Sequence, residues 1–215
     1  MKCAVITPVG PGHKELAKEA LGSVTQASIA SQGPFSVVSH ILVDDTKGEL
    51  GRSEARNWAV KQAHRVGFEW VFFLDADDLM LPSAFESVKD YMELDAIWGT
   101  IFDVSPGEDR ALPRDQVSVH SLKDLLDNDP YQTLQMGHFV RSEIALDNPF
   151  DITMDAGEDF DCYVRLWKNH KCDKIDDVLF VNRRGLHSEG PRSAHGGIWR
   201  RNVQRIIANN KRIIH

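Results

Sequence analysis

The sequence predicts an α/β domain with a mostly parallel central sheet and helices on both of its faces. Three observations carry that expectation. Apolar strand-like runs alternate with helical periodicity through the first 74 residues, one run is apolar on both alternations, and three runs end in polar or acidic residues.

Residues 3–6 form a short apolar run closed by Thr7-Pro8 and the turn Gly10-Pro11-Gly12. Over residues 13–29, Leu16, Ala20, Val24 and Ala27 recur at helical spacing. Residues 37–43 read as a second strand, interrupted by Ser39-His40 and ended by Asp44-Asp45. Residues 53–66 read as a helix with Ala55, Trp58, Ala59, Gln62, Ala63 and Val66 along one side and Gly67 as its stop. Trp70-Val71-Phe72-Phe73-Leu74 then gives the pattern of a central strand covered on both faces. Strands that alternate with helices imply right-handed crossovers and parallel pairing. Ligands of such sheets bind beyond the carboxyl ends of the strands. Here those ends are Thr7-Pro8, Asp44-Asp45 and Asp75-Ala76-Asp77-Asp78.

The second half is less regular. A helix is expected after Pro82, a strand over residues 96–104, a loop over 105–113 and a strand over 137–144. Residues 158–168 read as a helix with Phe160, Tyr163, Val164 and Trp167 inward, followed by a short strand at 178–182. A C-terminal helix carries Trp199, Val203, Ile206 and Ile207 on one side. With no repeat, linker or low-complexity tract, residues 1–215 read as one domain.

With 42% hydrophobic and 27% charged residues, the composition is that of a globular protein. A formal net charge of −7 argues against nucleic acid as a partner, since no general positive field collects phosphates. Cys3, Cys162 and Cys172 lack paired metal-ligand spacing and read as reduced thiols, which points to the cytoplasm. His170 with Cys162 and Cys172 reads as coincidence, not a zinc site. No leader peptide or membrane-spanning run is read, so membrane contact is expected to be peripheral at most. The basic residues Arg200, Arg201, Arg205, Lys211 and Arg212 read as the wet face of the last helix, with anionic headgroups or a polyanionic acceptor as the alternative. Oligomeric state has no signature here.

Asp75-Ala76-Asp77 sets two carboxylates two residues apart, directly after the central strand. In extended geometry they point the same way and can approach one hard cation, Mg²⁺ or Mn²⁺. The bland alternative is an acidic turn that caps the next helix through Asp78. Glu158-Asp159 opens a helix, where the dipole favours negative charge, and can equally be plain N-terminal helix charge.

Val43-Asp44-Asp45, Ala55-Arg56-Asn57 and Phe73-Leu74-Asp75-Ala76-Asp77-Asp78 resemble the nucleotide-binding half of family 2 glycosyltransferases of the GT-A fold. Gly157-Glu158-Asp159 with Val164-Arg165-Leu166 resembles that family's acceptor-side motif, and Phe150-Asp151 occupies the place of its Phe-Asp-Glu turn. The resemblance implies a single GT-A-like domain, with about residues 1–103 binding a nucleotide-sugar donor and about 104–215 facing the acceptor. It implies that Thr7 and Pro8 border the base, that Asp44 or Asp45 meets the uracil or ribose, and that Arg56 lies near the base or diphosphate. Asp75 and Ala76 would lie along the donor, Asp77 would be the direct ligand of Mn²⁺ or Mg²⁺ with Asp75 beside it, and Asp159, next to Glu158, would be the catalytic base. Arg183, Arg184 and His187 would close over the diphosphate, His187 as a possible metal ligand. The sequence departs from the family between Asp45 and Ala55, where a helix and a strand are replaced by a loop containing Gly48 and Gly51. Asp44 and Asp45 can instead simply cap that loop.

The expected reaction moves a sugar from a nucleotide diphosphate, a UDP-sugar by analogy, to a hydroxyl of a glycan, lipid or protein acceptor. Charge builds on the leaving diphosphate, which a cation, Arg183, Arg184, Arg192 or His187 would meet. The hydroxyl loses a proton to a carboxylate on the opposite face, and direct attack inverts the anomeric centre. A glycoside hydrolase also uses paired carboxylates but needs no Asp-x-Asp at a parallel sheet edge. A sugar-phosphate nucleotidyltransferase would carry a basic glycine-rich loop after the first strand, which Thr7-Pro8-Val9-Gly10-Pro11-Gly12 is not. A non-catalytic nucleotide-sugar binder is the remaining alternative.

Overall fold

A computed structural model describes residues 1–105, 107–108, 110–114, 117–183 and 196–214, the side chains of 213 and 214 excepted. In chain order the elements are β1 (Lys2–Val9), α1 (Lys14–Ala30), β2 (Val37–Asp44), α2 (Arg52–Arg65), β3 (Trp70–Phe73) and β4 (Leu79–Met80). A 3-10 helix (Glu86–Tyr91) leads to β5 (Ala96–Val104), β6 (Leu112–Pro113), α3 (Leu122–Asp127), α4 (Pro130–Thr133), β7 (His138–Arg141) and α5 (Ser142–Asp147). The chain continues through α6 (Glu158–Asn169), β8 (Cys172–Arg183) and α7 (Gly197–Ile214).

The strands order as β2-β1-β3-β7-β5-β8-β4, with β6 beside β5. β1 pairs in parallel with β2 and β3, and β5 with β8. β7 runs antiparallel to both β3 and β5, and β4 and β6 are antiparallel to β8 and β5. The α/β class and the parallel pairing of β1 with β2 and β3 are as expected, but the whole sheet is mixed where a mostly parallel one was expected. The cause is the segment after β5, which returns through α3 and α4 and inserts β7 between strands of the opposite direction.

Alternation along the strands feeds two cores, as a sheet covered on both faces requires. Ala4, Ile6, Val71, Phe73, Trp98 and Val140 pack beneath α2 and α6. Cys3, Val5, Trp70, Phe72, Ile97 and Phe139 pack beneath α1 and the 3-10 helix. Pro8 lies inside β1, opposite Val43. It is tolerated because β3 leaves β1 after Ile6, so the missing N–H falls where no second neighbour needs it.

Several local expectations change. Trp58 is 51% exposed and Val66 is also exposed; α2 instead buries Ser53, Ala55, Arg56, Ala59, Val60 and Ala63. Burying the Arg56 charge rotates the helix so that Trp58 faces outward. The strand expected over 137–144 ends at Arg141, because the Ser142 hydroxyl donates to Phe68 O at 2.6 Å and the chain turns into α5. The helix after Pro82 is 3-10, and β8 begins at Cys172 because it runs alongside β5. Between β2 and α2 there is a loop with no strand, as the spacing implied.

Buried charges pin the irregular second half. Arg114 donates to both oxygens of Asp103 at 2.9 and 2.7 Å and to Tyr131 O at 2.9 Å. Lys174 donates to Val117 O and Thr133 O at 3.0 and 2.8 Å, and burial with the nearby Arg114 lowers its pKa to about 8.

His138 is fully buried, stacked on Trp98 with ring centroids 4.4 Å apart and edge-on to Tyr163. Burial, then the charge of Arg56, lowers its pKa to about 3. The unfolded chain takes a proton on this residue near its ordinary value of 6.5, whereas the folded chain does not until about 3. Stability is therefore lost as pH falls below 6.5. His138→Phe keeps the stack and removes the titration, so its melting temperature should fall less than the parent's between neutral pH and pH 5; an identical fall would show that the imidazole charges freely in the folded state.

Candidate active site

The site is built where β1, β2 and β3 end. Residues 75–78 form a turn directly after β3, closed by Asp78 N donating to Asp75 O at 3.0 Å. Asp75 and Asp77 are half-buried, and Ala76 and Asp78 are buried. One oxygen from each of Asp75, Asp77 and Asp78 falls within 4.8 Å of the others. Such an all-oxygen set suits a hard divalent cation. Burial, with the charges of Asp77 and Asp75, raises the pKa of Asp78 well above the carboxylate range. Asp78 also accepts from Asn182 Nδ2 at 3.1 Å and from Arg183 N at 3.0 Å, so it ties the turn to β8. Asp75 and Asp77 are the two half-buried carboxylates of the cluster.

Asp75 is held by Arg56, whose buried guanidinium donates to its Oδ1. The same guanidinium lies 3.7 Å from Glu158 Oε1 and 5.3 Å above the Phe150 ring. Burial opposes the Arg56 charge, but Asp75 and Glu158 outweigh it and hold its pKa above its ordinary value. Glu158 is 1% exposed and also receives Arg52, with Nε at 2.5 Å and Nη2 at 3.0 Å. Arg52 and Arg56 are one turn apart on α2, so one helix face presents both cations to one carboxylate. Glu158, expected beside the base, pairs with both arginines and fixes α6 to α2.

Asp159 follows it, half-buried at the start of α6, with Phe160 N donating to its Oδ1 at 2.8 Å. Burial, then the neighbouring Glu158 charge, raises its pKa to about 6 against the opposing influence of Arg52. Gly157, at φ 85°, starts the helix in a left-handed conformation that a side chain would strain. Asn57 fixes the facing turn, its amide exchanging hydrogen bonds with Phe150 O and N, each 2.8 Å. The acidic turn after β3 and the acids that open α6 therefore meet around one guanidinium at one edge of the sheet.

The other expected residues divide. Thr7 is buried, its Oγ1 2.9 Å from His40 Nε2, and Pro8 is buried beside it. Asp44 is exposed and accepts from Thr46 N at 3.0 Å and Thr46 Oγ1 at 2.7 Å. Asp45 is buried, and its two oxygens accept from Leu50 N and Gly51 N at 2.9 and 2.8 Å. Both aspartates cap the shortened loop, and Asp45 thereby sets the start of α2. Arg183 donates through Nε to Asp77 O and through Nη1 to Glu19, so it braces the acidic turn. Arg184, His187 and Arg192 lie outside the described residues.

Sequence reasoning missed Arg52, the clamp by Asn57 and the tie from Asp78 to Asn182. Arg52 was legible as the i−4 partner of Arg56; the other two depend on contacts between distant segments. No described helix is long and apolar enough to cross a membrane.

The glycosyl transferase family 2 sequence model matches residues 31–149, more than half of the 215 residues. That span holds Asp44, Asp45, Arg56 and residues 75–78, and ends before Glu158-Asp159. No curated protein sequence matches the chain. Among solved structures, the chain is similar to S. aureus TarS, with 18% identity and a TM-score of 0.65, over 97% of this chain and 39% of that one. It is also similar to TarS 1-349 in complex with UDP, with 19% identity and a TM-score of 0.64, over 97% and 65% of the two chains. For TarS 1-349 in complex with UDP-GlcNAc the identity is 17% and the TM-score 0.68, over 97% and 66%. The chain spans less than two thirds of each of these longer proteins, and the likeness is one of fold. On the family match, the chain belongs to the glycosyl transferase family 2.

Proposed function

We propose that the chain transfers a sugar from a UDP-sugar to an acceptor hydroxyl, with inversion, using a divalent cation at Asp77 and Asp75 and Asp159 as base. The observation that carries this reading is the Arg56 guanidinium shared by Asp75 and Glu158, which sets the acidic turn and the helix start of Asp159 around one charge. The similarity to structures in complex with UDP and UDP-GlcNAc supports the choice of base.

Bound Mn²⁺ or Mg²⁺ would supply Lewis-acid neutralisation of the charge that builds on the departing diphosphate. The protein residues do the rest. Asp77, its backbone braced by Arg183, keeps a carboxylate at the rim. Asp75 is steadied by Arg56. Thr7, Pro8, Ala76 and the exposed Asp44 line the strand ends where a nucleoside would rest. Asp159 takes the proton of the attacking hydroxyl, and its raised pKa of about 6 makes it a stronger base than an ordinary carboxylate while leaving it ionised at neutral pH. Arg184 and His187 belong to this reading as diphosphate-side groups. About residues 1–103 would then serve the donor and about 104–215 the acceptor.

Calorimetry with UDP should show binding that strengthens with Mn²⁺. Asp77→Ala should keep the fold and lose that strengthening; equal affinity after full chelation would remove the metal from the reading. Asp159→Asn should bind donor normally while transfer falls by about 10² to 10⁴, and an Asn variant as active as the parent would move the base elsewhere. Because Asp159 must be ionised to act, kcat/KM should fall as pH drops below about 6, not below 4. Glu158→Gln removes the nearest like charge, so the acid limb should move to lower pH. A limb that stays in place would show that Glu158 does not set the ionisation of Asp159.

A further inference from the structure

The helix α7 is chemically unlike the rest of the molecule. The chain carries a net charge of −7, yet Gly197–Ile214 holds Arg200, Arg201, Arg205, Lys211 and Arg212 and no acidic residue. At 100° per residue, Arg201, Arg205 and Arg212 fall within about 40° of one another, in a stripe roughly 16 Å long. All three are exposed, as is Arg200 at the side of the stripe. Lys211 is spent on Asp127 at 2.7 Å, but none of the four arginines forms an ion pair among the described residues. Like charges one turn apart repel, so the stripe carries a small cost that an anion would relieve.

The opposite face of α7 is committed. Val203 and Ile206 are buried in the core, with Trp199 and Ile207 packed against it, and the helix rests on α3 and α6. Among the described side chains of α7, no apolar face remains to enter a lipid surface, as an interfacial helix requires. The stripe also has a fixed relation to the site. Asn202, next to Arg201, donates to Ala156 O at 2.7 Å, immediately before Gly157 and the helix that carries Asp159. Arg205 is close enough to Asp151 for its charge to contribute, after the Thr153 hydrogen bonds, to lowering that carboxyl's pKa.

We propose that the outer face of α7 is a docking surface for a linear, phosphate-bearing polyanion, which it holds beside Asp159 as the acceptor. The role as acceptor rests on the glycosyltransferase reading above; the surface itself does not. Exposed guanidinium groups four and seven residues apart on one stripe, about 6 and 10.5 Å along the helix, complement phosphates carried along a flexible chain, each arginine pairing with a phosphate through charge-assisted hydrogen bonds. The polymer would run along the helix and pass its hydroxyls across the start of α6.

The test uses the full chain and labelled short-chain inorganic polyphosphate, followed by fluorescence anisotropy over a salt series. With three arginines engaged, at roughly 0.7 per neutralised phosphate, log K should fall against log salt with a slope of about −2. Arg201→Glu with Arg205→Glu should weaken binding about tenfold or more and flatten that slope. Should that variant misfold, Arg201→Gln with Arg205→Gln should still weaken binding and flatten the slope. Equal affinity in a folded variant would overturn the proposal. So would a parent that ignores polyphosphate but binds phosphatidylglycerol vesicles, which would make the surface a membrane contact. Calorimetry with UDP on the same samples separates the two readings: loss of UDP binding in the parent sinks the donor assignment and leaves the polyanion result standing.

Discussion

One buried guanidinium organises this molecule's working edge. Arg56 is 3% exposed and stands between Asp75 and Glu158, carboxylates that belong to distant parts of the chain. A buried cation is tolerable only when paired, and removing one partner of such a pair typically costs about 3–5 kcal/mol. The pairing therefore forces α2, the turn after β3 and the start of α6 into one arrangement. It also explains why α2 turns Trp58 outward, and why Asp159 lies in an environment where a negative neighbour and two positive ones compete.

Much of this was legible in the sequence, and for identifiable reasons. The run from Trp70 to Leu74 announced a central strand because every position is apolar, and it is buried throughout. Helix α6 was readable from Phe160, Tyr163, Val164 and Trp167, all of which are buried. The acidic turn was readable because strand ends on one sheet edge must lie together. What sequence did not disclose was the service each polar group performs. Asp45, for which the family resemblance implied contact with the uracil or ribose, spends its oxygens on the backbone amides of Leu50 and Gly51, and Asp78 accepts from Arg183 N and from an asparagine of β8. The antiparallel insertion of β7 was likewise hidden, because four residues of a strand carry no mark of their direction.

The segment between β5 and β7 has only short elements, and buried charges tie it to the rest of the chain. Arg114 is clamped to Asp103 and lies 4.2 Å over the Tyr131 ring, while Lys174 reaches two carbonyls, Val117 O in a loop and Thr133 O at the end of α4. Long side chains with several donors can staple turns that offer little apolar surface of their own.

The shortened connection between β2 and α2 has an effect on how copies of this chain would behave in a crowded solution. Among the described strands β2 ends the sheet, paired along one side only and with Val37 and Leu42 about two fifths exposed. An outermost strand of eight residues presents a ladder of amides and carbonyls that another extended segment can join. Ser39 and His40 in its middle add polar character to that ladder. The compact loop that replaces the extra strand thus leaves the polypeptide with a zipper edge, guarded by side-chain polarity instead of by backbone.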